Sequence, residues 1–410
     1  LQTCPPELSQ NLPKMIQKEQ VRVIKGLLDH LDNKTNVKAD GMIKNPADTY
    51  TSEDRFQMEW NNFFLNHPQI IGFSGDLPNK GSFMTTDDFG VPILATRDAN
   101  GEFKCFVNVC THRGVIVENQ RRGEKEKFSC PFHGWTFNNR GSLVGYPKPD
   151  HFGEIDKSCY GLKELPCLEQ HGFLFVHPDE NGVIDTQDLL GDQLIEEMES
   201  WGFKDLILTQ EEEYVTDMNW KLAIDTFGET YHFSTLHKDT LFESFYGNVQ
   251  MFDTFKRNAR LSLCKRQIED LRTTPEKDWD VRVGSLPVYF LFPNIIINVL
   301  EGGIIVVKEY PLENSPHKSV SKVSFYFTPE AIGYLEEMKN GDEETFNPYI
   351  AFGEIIRDED YVAAAASHKG LRSGKIDHIL FGQNEPALHH YHNTYREALD
   401  LEPMPLIKSK

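Results

Sequence analysis

Cys110-Thr111-His112-Arg113-Gly114 and Cys130-Pro131-Phe132-His133-Gly134-Trp135 are the stretches on which the fold turns. Seventeen residues separate His112 from Cys130, so the pattern reads C-x-H-x17-C-x2-H. Each half is a tight loop offering one thiolate and one imidazole to a common point. Two thiolates and two neutral imidazoles suit an iron–sulfur cluster of the [2Fe–2S] type, with both sulfurs on one iron and both histidines on the other. The competing use is a structural Cys2His2 zinc site. Zinc modules usually pair Cys with Cys and His with His, which this order does not do.

Outward from these loops, short β-prone runs are broken by turns. Pro92–Thr96, Phe103–Val109, Phe128–Cys130, Trp135–Phe137 and Phe173–Val176 predict an antiparallel β-domain, with turns at Asn100-Gly101 and Arg140-Gly141. We place it at residues 69–185. Residues 1–68 precede it as a helical segment expected to pack on the last domain, with helices over 17–31 and 50–66; in the second, Phe56, Trp60, Phe63 and Phe64 recur at helical spacing. Residues 186–410 mix the two patterns. Trp220–His232 reads as a helix, and Val288–Asn298 and Ile304–Tyr310 flank a hairpin signal at Glu301-Gly302-Gly303. Ser319–Phe327 is a further strand, and helices are expected over 329–339 and 347–368. The fold class is therefore α+β: an antiparallel β-domain, then an antiparallel sheet covered by helices.

The last domain carries a second constellation. Asp225, Glu229 and His232 stand at i, i+4 and i+7, one face of a helix, and His237 follows five residues later. The helix must loosen or end there for both imidazoles to meet one ion. Two histidines and a carboxylate form the facial triad of non-haem Fe(II) oxygenases, which leaves positions open for dioxygen.

By Cys130-Pro-Phe-His-Gly-Trp135 the first domain is identified as a Rieske domain. With Asp225-x3-Glu229-x2-His232-x4-His237 downstream, the whole chain resembles the Rieske non-haem iron oxygenases, the aromatic-ring-hydroxylating oxygenase α-subunits. The resemblance implies that Cys110 and Cys130 hold one cluster iron, and His112 and His133 the other. The cluster potential would rise from about −400 mV to between about −150 and +300 mV. His232 and His237 would bind a mononuclear Fe(II). The third ligand falls in Arg357-Asp358-Glu359-Asp360, with Asp360 at the family position and Asp358 and Glu359 close by. Glu229 matches a carboxylate that bridges the cluster of one subunit to the iron of its neighbour, although most ring hydroxylases have aspartate there. Asp225 would orient an iron-ligating histidine.

The implied protein is the terminal oxygenase of a multicomponent system. It would form a homotrimer, with or without a β-subunit, and take two electrons from an NAD(P)H-dependent reductase, directly or through a ferredoxin. With O2 it would hydroxylate a small organic molecule, an aromatic ring first. Hydroxylation or N-demethylation of a quaternary or N-methylated amine is the alternative, and glutamate at the bridging position occurs in such branches. An electron carrier without catalysis is the reading from another class. An aromatic cage at the iron would favour a cation, and a basic residue there a carboxylated ring. Phe227, Phe233, Phe290, Phe292 and Ile296 are candidate pocket walls.

Composition narrows the partners. Lys and Arg total 42 against 63 Asp and Glu, a net charge of −21, which argues against nucleic acid and anionic lipid. Seven cysteines are few and odd in number, as expected of a reducing compartment with some thiols kept for metal. No signal peptide is legible in Leu1–Gly26. Apolar runs such as Val362–Ala366 fall far short of the roughly 18–20 residues of a membrane span, so a cytoplasmic protein is expected. Residues 103–140 reverse the trend, with seven basic residues against three acids, and this predicts a positive collar for an acidic electron donor.

Overall fold

A computed structural model describes residues 12–339 and 348–407; Cys4 and the start of the helix expected from Asn347 lie outside them. The chain divides into two units. One comprises Glu59–Thr186 and Phe203–Asp205, the other Leu1–Met58, Gln187–Gly202 and Leu206–Lys410.

In the first unit the β-prone runs pair as antiparallel strands. Glu164–Leu165, Phe103–Val107, Ile93–Arg97, Ser82–Thr86 and Arg122–Glu124 form a five-stranded sheet in that order. Lys127–Ser129, Thr136–Asn138 and Leu143–Gly145 make a small sheet beneath the second cysteine–histidine loop. Alternate residues turn inward, so Phe83, Leu94, Phe106, Phe128 and Phe137 share one core with Cys110, Cys130 and Trp135.

The second unit is built on one seven-stranded antiparallel sheet. Its strands in chain order are β1 (Ile207–Thr216), β2 (Phe245–Phe255), β3 (Asn258–Lys265), β4 (Ser285–Leu291), β5 (Ile295–Leu300), β6 (Gly303–Leu312) and β7 (Ser315–Phe327). Their order across the sheet is β1-β7-β6-β5-β4-β3-β2. Every residue of β3, β4 and β5 is buried, the signature of strands covered on both faces. Helix α1 (Gln17–Asn33) buries Gln20, Val23, Ile24 and Leu27, one stripe of helical period. Helices α2 (Trp220–Asp225), α3 (Tyr361–Leu371) and α4 (Pro386–Ala398) belong to the same unit. The α+β class holds.

Three expected elements are cut differently. Residues 50–66 are not one helix but Asp48–Thr51, Glu53–Glu59 and a wide π-type turn, Trp60–Leu65. Ser52 is extended, and its hydroxyl accepts the Arg55 N–H to start a new helix. The helix expected over 220–232 stops at Asp225. Phe227 and Gly228 donate three residues back, to Ile224 and Asp225, and a short 3-10 turn then spans Tyr231–Ser234. Glu229 caps that turn by accepting the Tyr231 and His232 N–H groups, donors a continuous helix would have used internally. The strand expected over 288–298 is two, divided at Phe292-Pro293-Asn294, where proline has no N–H for a ladder.

Candidate metal centres

The two cysteine–histidine loops have one backbone design. Cys110 N–H donates to Val115 O at 2.8 Å and Gly114 N–H returns to Cys110 O at 2.9 Å; Cys130 N–H donates to Trp135 O at 2.8 Å and Gly134 N–H to Cys130 O at 3.0 Å. Both glycines have φ +72°, the left-handed conformation glycine adopts without a Cβ clash. The loops converge, with the His112 and His133 rings 4.7 Å apart. Cys110 and Cys130 are buried and unpaired, and burial followed by the neighbouring Cys130 thiol raises the Cys110 pKa. His112 Nδ1 is buried with no hydrogen-bond partner, as a donor atom reserved for a metal would be. Burial, His133 and Arg113 all lower the His112 pKa, which keeps its imidazole neutral and able to ligate. The Trp135 ring stacks on His112 at 4.9 Å, and Phe132 lies 3.8 Å from His133. This donor set fits a Rieske cluster.

In the other unit, His232, His237 and Asp360 meet. Their three donor atoms lie within 4.8 Å of one another, with His232 Nε2 and His237 Nε2 at 3.4 and 3.3 Å from Asp360 Oδ1. The opposite ring nitrogens are held from behind. His232 Nδ1 bonds Glu229, and His237 Nδ1 bonds Glu359 Oε2 at 2.7 Å, so both Nε2 atoms are left for an ion. Burial alone would lower the His232 pKa, yet Asp360 and Glu229 outweigh it and push it up to about 9. His237 moves the same way through Asp360 and Glu359. The site is thus an electronegative pocket that holds protons where a divalent cation would sit, and its two nitrogens and one carboxylate fit non-haem iron.

The acids of 358–360 separate cleanly. A π-type turn, Ile356–Asp360, precedes α3. Asp358 is exposed and pairs with Arg357, Glu359 bonds His237 and Thr240, and Asp360 meets both Nε2 atoms. Glu359 does what was expected of Asp225. Asp225 instead accepts from Tyr50 at 2.5 Å and from His392 at 2.8 Å, and bonds neither histidine of the triad. Adjacency to Asp360 was the only sequence signal for Glu359; Tyr50 and His392, far away in sequence, gave none.

A cavity opens beside the triad. Phe227, Phe233, Phe245 and Phe352 line it, and no Lys or Arg does among the described residues. Of the expected walls, Phe290, Phe292 and Ile296 do not line it: Phe290 packs on Tyr391 at 4.1 Å and Phe292 on Tyr395 at 5.9 Å.

The positive collar is largely neutralised. Arg122 pairs with Asp76, Arg140 with Asp98, Lys104 with Glu164 and Lys125 with Glu118. Three of those acids lie outside residues 103–140, so the local count missed them.

Comparison with known proteins agrees with this chemistry. Residues 67–167 match the Rieske [2Fe-2S] domain family, and residues 203–401 match the ring hydroxylating α-subunit catalytic domain family. The anthranilate 1,2-dioxygenase large subunit of Acinetobacter baylyi is 30% identical over 52% of this chain, and the match spans 45% of that protein, less than half its length. Choline monooxygenase of Beta vulgaris is 26% identical over 86% of this chain and 76% of its own. The carnitine monooxygenase oxygenase subunit of Escherichia coli is 25% identical over 86% of this chain and 93% of its own. In fold, the chain resembles the quaternary ammonium Rieske monooxygenase CntA in complex with L-carnitine, with a TM-score of 0.70 at 20% identity over 98% of this chain and 100% of that one. It also resembles naphthalene 1,2-dioxygenase with indole bound, with a TM-score of 0.67 at 19% identity over 87% and 92%. Two domain families in this order, each with its donor set assembled, place the chain among the Rieske non-haem iron oxygenases, oxidoreductases that carry a [2Fe–2S] cluster and a mononuclear iron.

Proposed function

We propose that this chain is the terminal oxygenase of a multicomponent system and hydroxylates a small, uncharged organic substrate, a single ring first. The observation that carries the reading is the triad of His232, His237 and Asp360 opening on a cavity with four phenylalanines and no Lys or Arg among its described lining. Apolar walls favour a substrate driven from water, and the lack of a Lys or Arg in the described lining disfavours a carboxylated ring.

When bound, the cluster supplies single electrons and the mononuclear iron supplies dioxygen chemistry. The protein's part is to hold and to exclude. Cys110, Cys130, His112 and His133 would ligate the cluster; His232, His237 and Asp360 would ligate the iron, each imidazole fixed by a carboxylate behind it. Glu229 sits on His232 Nδ1, the place from which a bridging carboxylate would receive a bond from a neighbouring subunit's cluster histidine. The phenylalanines keep water from the reacting centre. The partners we infer are a reductase, with or without a ferredoxin, and two further copies of the chain, in the cytoplasm.

Replacing His232 with Ala should remove mononuclear iron and substrate-dependent oxygen uptake while the visible cluster spectrum persists. Unchanged turnover would reject the triad as the site of oxygen chemistry, and a wild type without substrate-dependent oxygen uptake would leave an electron carrier. A second reading, oxidation of a quaternary or N-methylated amine, is favoured by the same four rings, because phenylalanine faces attract a desolvated cation, and by glutamate at position 229. A substrate screen pairing a neutral ring with its trimethylammonium analogue, followed by oxygen consumption, separates the two.

A further inference from the structure

The cavity beside the triad has one polar wall that the metal chemistry leaves free. Asn298, on β5, lines it and is fully buried. In register it is flanked by Val288 on β4 and Ile305 on β6, whose apolar side chains offer it nothing. Its Nδ2 faces the Ile305 carbonyl at 3.5 Å, while its Oδ1 is buried with no partner among the described residues. Reversing the amide would set two carbonyl oxygens against each other, so the oxygen is the end left open. The other polar side chains of the lining are engaged. Thr226 donates to Ala223 O at 2.8 Å, and His232, His237, Asp360 and Glu229 bond one another.

A buried amide oxygen without a donor is costly, and a native site keeps one when something else supplies the donor. Resting on the oxygenase reading, we propose that Asn298 determines specificity: its Oδ1 accepts a hydrogen bond from a hydroxyl or N–H group on an uncharged substrate and turns the rest of that molecule toward the iron site. A hydrocarbon of the same shape leaves the oxygen orphaned and is discriminated against, as sites built around a buried polar group reject analogues that lack its partner. A carboxylate brings a charge for which the described lining offers no Lys or Arg.

Phenol and toluene have nearly the same shape and differ by a hydroxyl in place of a methyl. Binding of each to the metal-loaded protein is measured by calorimetry, for the wild type and for Asn298→Leu. In a merely apolar cavity toluene wins, because it leaves water more readily. The proposal expects the wild type to prefer phenol by about tenfold or more, and Asn298→Leu to invert that order. The wild-type comparison stands even if the variant does not fold. Toluene binding at least as tightly as phenol to the wild type, or a phenol preference that survives in Asn298→Leu, overturns the role of Asn298 and leaves the oxygenase reading intact. Binding of neither ring overturns the role of Asn298 and, with it, the single-ring substrate proposed above, and leaves the family membership standing.

Discussion

Glu359 and Asp225 show how one carboxylate's neighbours decide its work. Glu359 accepts from His237 Nδ1 and from the Thr240 hydroxyl, which fixes the ring with Nε2 toward Asp360. Replacing Glu359 with Ala should weaken iron binding by about 10–100-fold, read by titrating metal-stripped protein with Fe(II). Asp225 is held by Tyr50 and His392, so Asp225→Asn should lower the melting temperature yet leave the iron content near wild type. Iron lost from Asp225→Asn but kept in Glu359→Ala would reverse the assignment.

At the scale of elements, the two cluster loops are short turns whose shape depends on left-handed glycines. Replacing Gly114 or Gly134 with Ala should destabilise by about 1–2 kcal/mol through backbone strain. The Gly134 change should cost more, because its new Cβ would stand 3.2 Å from Pro147 Cγ, whereas nothing lies within 4 Å at Gly114. Melting curves and cluster absorbance, taken together, check both. An equal and negligible effect would mean that the loops tolerate a side chain. The turn at Ile356–Asp360 matters in the same way. Its wide, π-type winding lets the consecutive acids Glu359 and Asp360 both reach the histidine pair, while Asp358 points to solvent.

In the sheet-bearing unit, two networks show what burial does to charge. Arg260 is fully buried and reaches Glu19 on α1, Glu197 on the helix Asp192–Ser200 and Asp253 on β2. Burial alone would raise the Glu19 pKa, yet Arg22 and Arg260 hold it down at about 2. Replacing Arg260 with Met strands the buried Glu197 and leaves Glu19 and Asp253 to Arg22 alone, and should cost about 3–5 kcal/mol in denaturant unfolding. The second network runs the other way. Glu309 on β6 is bonded by Tyr361 at 2.6 Å and Ser321 at 2.7 Å, with no cation beside it, and burial lifts its pKa from 4.5 to about 8. A raised folded pKa means that the native state keeps a proton the unfolded chain releases. Stability therefore declines as pH rises from about 4.5 to about 8 and levels off above that. The slope approaches about 1.4 kcal/mol per pH unit, and Glu309→Gln should flatten it in melting-temperature profiles.

The local parts of this protein are fixed by its sequence. C-x-H-x17-C-x2-H brings its donors together over two tight turns, because the loops need only neighbouring residues and a glycine each to take shape. His232 and His237 likewise lie within one stretch of chain, and the β-texture of residues 69–185 follows from short alternating runs between turn residues. The helix break after Asp225 escaped that reading because it rests on tight three-residue turns and on the Glu229 cap. Strand β3 gave no clear period, since a strand buried on both faces loses its alternation, whereas β1 and β2 are largely half-buried or exposed and lack a regular apolar face. Asp360 stood at the family position in the sequence, but only the tertiary structure shows why its two acidic neighbours turn elsewhere, because the direction of each side chain is set by the π-type turn. It also decided which phenylalanines line the cavity at the iron site, and that an asparagine of the same lining keeps an oxygen free. The physical reason is common to all three: a side chain's direction is set by packing against elements remote in the chain, and residue type does not record it.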